Sequence, residues 1–367
     1  MPYFPLYLSS LGFRGTEIGL LMAMQPALRW GSALVWAYAA DRWRMRYRLL
    51  LAAGATGAIC YVPLLFARRF SSIVTVTALI ALLQAPLIPM VDATVMDHLD
   101  GLGRDYGRLR MWGSVSFVLG AVLSAPLIRW FSPNVVPLLL LVAAWVLVPA
   151  LAILPRGQMG RREHFRAPWM LVTRPLAAFL ATAFLIQLSC GAWGGFFALH
   201  TAQLGFSDLV PGLTWGLAVS AEIIMLFWGA RIVTWFPPVQ LILLALLITM
   251  VRWSLTALAR DEALVIGLQL GHAFTFSAFH LAALLLLSRL VPAESSTSGQ
   301  ALYGMVAFGL GGSAGLYLAG LLVDRLGTST VFAFEALVAA LGIIPALALW
   351  RLQRRAPPLV VVAVRPG

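Results

Sequence analysis

LLLLVAAWVLVPALAIL, residues 138–154, is an unbroken apolar run of seventeen residues. It has no period-two alternation, which excludes the strand of a membrane barrel. Wound as a helix it would rise about 25 Å, close to the thickness of a bilayer's hydrocarbon core. Runs of this kind recur along the whole chain. Of 367 residues, 61% are hydrophobic and 11% charged, where soluble domains carry about 25% charge. Mean hydropathy is +0.89. The chain reads as an all-α integral membrane protein whose solvent is the lipid bilayer.

Eleven full spans are expected, roughly at 17–39, 48–67, 72–96, 107–131, 134–154, 175–200, 209–230, 238–258, 263–288, 299–323 and 328–350. Before them stands MPYFPLYLSSLGF, whose apolar part, Pro2 to Leu8, would rise only about 10 Å as a helix. It reads as the end of a first helix whose beginning is truncated.

The net charge of +12 comes from arginine alone, since the chain has no lysine. Eighteen of the 26 basic residues fall in alternate loops around 42–48, 104–110, 156–174, 231 and 289 and in the tail; six fall on the opposite side. By the positive-inside rule the first set faces the cytoplasm, which makes this a multi-pass inner (plasma) membrane protein with its linker and C-terminus cytoplasmic. No basic domain exists to hold a duplex, so nucleic acid is rejected as a partner. Cys60 and Cys190 sit in apolar runs and offer neither a disulfide framework nor a metal spacing.

The longest polar stretch, 155–174, separates two halves of similar length. The expected organisation is an N-terminal helix bundle (1–154), a linker (155–174), a C-terminal helix bundle (175–350) and a tail (351–367). Two six-helix bundles of this kind place a solute site between them near the midplane.

AADRWRMR, residues 39–46, resembles the loop motif of the major facilitator superfamily, with Ala37 where Gly is usual and Arg44 in place of a second Gly. PLIPMVDATVMDHLDGLGRDYGRLRMWGSVSFVLGA, residues 86–121, is similar to the phenylpropionate permease branch, which is also grouped with nucleoside-proton symporters. GLTWGLAVSAEIIMLF (212–227), VRW (251–253), LQLGHAFTFSAFHLAA (268–283) and QALYGMVAFGLGGS (300–313) match that branch in the same order. The resemblance implies the major facilitator fold. It also implies a proton-coupled symporter of a small organic solute, such as an aromatic carboxylate, working as a monomer by alternating access. In that fold the first, second, fourth and fifth helices of each half line the cavity.

Ionisable residues within apolar spans are functional candidates because they are costly in lipid, about 3 kcal/mol or more each. Arg29 is the only charge between Ile18 and Ala40; it either binds a solute carboxylate or neutralises a carboxylate of the protein. Asp92 is a candidate for proton coupling, although a structural ion pair with Arg108 and Arg110 is favoured for it. Glu222, midway along its span, is the main proton-coupling candidate. Asp41 and Arg42, together with Arg108 and Arg110, are expected to gate. Projected at 100° per residue, Gln269, His272, Phe276 and His280 share one arc of about 80°, a wall suited to a polar aromatic solute. His200 is placed at the outer surface, and Arg252 is expected to snorkel or to pair with Glu335. FGLGGSAGLYLAG, residues 308–320, carries small residues that allow close helix approach.

No HExxH, GxSxG or Cys/His ligand spacing is present, so an intramembrane enzyme is not expected, and neither cofactor nor metal is implied. The alternative to a transporter is a sensor or assembly protein that uses a truncated transporter fold without transport.

Overall fold

The computed structural model describes residues 3–43, 45–88, 90–91, 94, 106–154, 171–292 and 295–355, and among them every regular element is helical. The helices are α1 (Phe4–Ser10), α2 (Gly15–Trp43), α3 (Arg46–Ile59), α4 (Phe70–Gln84), α5 (Tyr106–Phe131), α6 (Val136–Ile153), α7 (Arg174–Leu188) and α8 (Gly191–Gln203). They continue with α9 (Val210–Phe227), α10 (Gly229–Trp235), α11 (Pro238–Leu258), α12 (Glu262–Gly267), α13 (Phe279–Leu290), α14 (Ser296–Gly304) and α15 (Gly312–Arg355).

Local chemistry sets the helix starts. Pro137, Pro175, Pro211 and Pro238 stand in the first turns of α6, α7, α9 and α11, where a missing N–H costs nothing. The Thr173 hydroxyl caps α7 by accepting the Leu176 N–H at 3.4 Å. Four expected spans take irregular form. The run 175–200 is interrupted at Ser189–Cys190, between α7 and α8. The run 263–288 passes through a 3-10 turn at Leu268–Gly271 and a π turn at Ala273–Ala278. The last two runs continue from α14 through a π turn at Met305–Gly311 into α15, which is broken at Gly327, where φ is 74° and only glycine is unstrained.

Among the described residues, eight stretches are long and apolar enough to cross a membrane. Trp130, Phe131, Ile153, Phe227 and Leu258 are exposed on their flanks, an apolar surface suited to lipid rather than water. One buried cluster belongs to the second half of the chain, around Phe179, Leu246 and Phe279. Another joins the halves, bringing Tyr3, Tyr7 and Ile18 onto Trp193, Phe196 and Phe332. The seams between halves are α2 against α15, α5 against α9, and α1 against α8.

Candidate functional site

The irregular helix from Glu262 to Leu290 carries most of the polar chemistry. Asp261 caps its start by accepting the Leu264 N–H at 2.8 Å. The π turn that follows widens the helix, a distortion common at functional sites. Across it, residues four apart lie one above the other. The His272 and Phe276 rings are 5.6 Å apart at 6°, and the Phe276 and His280 rings 6.0 Å apart at 10°.

Aromatics from other helices close around this column. His280 Nδ1 is 3.1 Å from the Tyr303 hydroxyl, and Phe308 packs on Phe276, His280 and Tyr303. Phe308 is in turn stacked on Trp30 of α2 at 6.1 Å and 14°. Trp30 fits there because Gly304 and Gly309 leave room for its ring. A second crossing between halves is made by Phe117 of α5, edge-on to Trp215 of α9 at 5.5 Å, and Trp215 lies 6.3 Å from His272.

Beneath the column lies a buried polar chain anchored on Arg252 of α11. Arg252 is 2% exposed, so it does not snorkel: superfamily analogy puts it on an outward face, whereas α11 turns it into the second half's interior. Its guanidinium donates to Gln269 Oε1 and to Thr275 Oγ1 (3.3 Å) and meets His272 Nδ1 at 3.5 Å. It also lies over the rings of Trp193 (4.6 Å) and Trp253 (4.2 Å), contacts that replace part of its lost hydration. The expected pairing with Glu335 takes a looser form. Glu335 lies within electrostatic reach of Arg252, but its Oε1 accepts the Ala192 N–H at 2.5 Å and so caps α8 where the run 175–200 breaks.

A tautomer follows from this geometry. A guanidinium can only donate, so the His272 Nδ1 facing it must accept, and a neutral imidazole then carries its proton on Nε2. That nitrogen is 3.8 Å from Glu222 Oε2. The order along the chain of groups is Gln269, Arg252, His272, Glu222.

The structure thus brings Gln269, His272, Phe276, His280 and Glu222 together and adds Arg252, Trp193, Trp215, Tyr303 and Phe308, which the sequence alone does not place at a site. Arg29 does not join them. It is exposed on α2, with the Tyr61 hydroxyl in electrostatic reach, and Tyr61 donates to Gln84 Oε1 at 3.3 Å. Among the described residues no carboxylate is in ion-pair range of Arg29.

Asp92 lies outside the described residues. Asp41 and Arg42 fall on α2, and Arg108 and Arg110 on α5, but their side chains lie outside the described ones. His200 is not interfacial: it is fully buried, with Nδ1 2.8 Å from Thr328 Oγ1 and its ring against Phe332. The reason is that the last turn of α8 packs on the second limb of α15 instead of facing water. Among the described residues no three His, Cys, Asp or Glu side chains gather as metal ligands would.

The MFS_1 like family matches residues 1–334 of the chain. The chain is 30% identical to a maltose permease of Geobacillus stearothermophilus, over 93% of this chain and 88% of that protein. It is also 30% identical to a probable 3-phenylpropionic acid transporter of Escherichia coli (strain K12), over 92% of this chain and 90% of that one. Among solved structures, the nucleoside transporter NupG aligns with a TM-score of 0.83 at 15% identity, covering 97% of this chain and 95% of that one. A mutant form of the same transporter aligns with a TM-score of 0.86 at 14% identity, covering 95% of each chain.

Proposed function

Since this chain belongs to the MFS_1 like family of the major facilitator superfamily, whose relatives here are transporters, we propose that it is a proton-coupled symporter of a small organic solute. The solute is an aromatic carboxylate, bound between the two halves and carried by alternating access. The proposed solute contacts are Arg29, Phe276 and His280, with Gln269 and His272 holding the wall from behind. The proposed proton carrier is Glu222.

The observation that carries this reading is the orientation of His272 between Arg252 and Glu222. With Nδ1 committed to the guanidinium, a second proton on His272 would face a fixed positive charge. The proton arriving from the cavity therefore goes to Glu222. An ionised carboxylate is more expensive to seal from water than a protonated one, so protonation eases closure. The ring column supplies flat apolar faces for an aromatic solute. Arg29, without a carboxylate of the protein at hand among the described residues, offers a two-pronged partner to an acid. Asp92, Arg108 and Arg110, and Asp41 with Arg42, are the proposed gating charges.

Equal identity to a maltose permease favours a second reading, a neutral sugar lying on the same ring faces. Uptake of labelled 3-phenylpropionate and of maltose into vesicles, with and without a pH gradient, separates the two. The first reading expects the acid alone to accumulate, and only with the gradient. Accumulation of maltose alone would replace it with the second.

A further inference from the structure

The seam between α2 and α15 is built for contact without intervening side chains. A Cβ on Gly19 would stand 2.8 Å from the Gly320 Cα, and one on Gly15 would be 3.0 Å from the Gly320 carbonyl oxygen. The two backbones therefore touch at the Gly15 end, which the arginine bias assigns to the outside.

At that end the helix cap is shared between the halves. Position 14, just before α2, is arginine, which cannot accept a hydrogen bond from the first turn. Glu17 supplies half of a capping box by accepting the Arg14 N–H at 2.9 Å. The other half comes from the far end of the chain. Asp324 Oδ1 accepts the Gly15 N–H at 2.6 Å, and Oδ2 accepts both the Thr16 N–H and the Thr16 hydroxyl at 2.9 Å. A negative group there also meets the positive end of the α2 dipole. Asp324 precedes the Gly327 break and is itself exposed, as is Arg14, so water can take over its bonds if the halves part.

We propose that Asp324 is a latch: its carboxylate, borrowed by α2 as a cap, holds the two halves together at the Gly15 end and must be released each time that end opens. The inference rests on the transporter reading for its purpose but on the cap geometry for its substance. A helix end whose cap lies on its own half would be indifferent to rocking of the halves; this one loses three hydrogen bonds when the seam parts. Both sets of donors and acceptors become hydrated in exchange, so the latch biases an equilibrium without freezing it.

The test uses the full chain with Cys60 and Cys190 replaced by serine and Ile18, buried near this end, replaced by cysteine. Maleimide labelling in membrane vesicles reads how often the end opens. Losing a cap is worth about 1 kcal/mol, so Asp324→Ala should label about fivefold faster than the parent, with Asp324→Asn in between. Independently, Thr16→Cys with Asp324→Cys, cross-linked by oxidant, should stop uptake and recover it on reduction. Labelling of Asp324→Ala at the parental rate, or uptake that survives cross-linking, would overturn the latch. Faster labelling in a chain that moves no solute would leave the latch standing and sink the transporter reading.

Discussion

Arg252 donates a hydrogen bond to Gln269 across the interior of the second half, and that contact decides which way His272 faces. With Gln269 and Thr275 on one side and Trp193 and Trp253 over its planes, the guanidinium has a fixed position. His272 accordingly presents Nε2 to Glu222.

Removing Arg252 should therefore cost stability and tautomer control together. Arg252→Ala leaves Gln269 and Glu335 with buried polar atoms and no cation, a loss of about 3–5 kcal/mol by comparison with other broken buried pairs. Arg252→Lys keeps the charge but gives up the planar fork and its stacking. Thermal unfolding in detergent should rank parent, Lys, Ala in falling order. An Ala variant as stable as the parent would show that the chain of groups is dispensable.

The ring column makes a narrower prediction. Phe276→Ala should leave folding intact, because Phe276 is only half-buried, while weakening an aromatic solute roughly tenfold, the effect of one lost ring contact. Binding of 3-phenylpropionate to purified protein measures it. Unchanged affinity would move the solute away from this wall.

Arg29 is expected to meet the solute's carboxylate. Arg29→Lys should weaken the acid while leaving its uncharged amide unaffected, since only the two-pronged geometry is lost. Equal loss for acid and amide would remove Arg29 as the direct partner. An internal carboxylate would announce itself differently: Arg29→Ala would fold poorly, and deleting the acid as well would rescue it.

The Asp324 latch should ignore ordinary changes of pH. Partial burial pulls its carboxyl up, but the bonds from Thr16 and Gly15, with Arg14 close by, hold it below the usual carboxylate range. A depressed value means that the bond's contribution is complete above the unfolded value, about 3.9, and is lost only as pH falls through the folded one. Labelling of Ile18→Cys should thus differ little between pH 5 and 8 on account of Asp324. If Asp324→Asn removes a pH dependence in that range, the carboxylate is titrating there after all.

Much of this is legible in the sequence. Apolar run length locates the helices, and a 100° projection puts His272, Phe276 and His280 on one face, where they do stack. The projection assumes a uniform α-helix, however, and the 3-10 turn at Leu268–Gly271 sets Gln269 against Arg252 behind that face. Arg252 itself is misassigned by superfamily analogy, which turns its helix outward. The signal that corrects it is the tryptophans: Trp193 and Trp253 lie on different spans, and their large rings flank the buried guanidinium. His200 is misplaced for a related reason, since a histidine near a span's end looks interfacial until Thr328 and Phe332 are known to cover it. The Asp324 cap has no local signal at all, because its partner is Gly15, at the other end of the chain.

The most direct test of the account is Glu222→Gln, reconstituted in vesicles and assayed for both uphill uptake and solute exchange. The amide imitates a permanently protonated acid, so accumulation driven by a pH gradient should vanish while exchange of labelled for unlabelled solute continues at a rate near the parent's. A variant that still concentrates solute against its gradient would contradict the claim that the proton travels on Glu222.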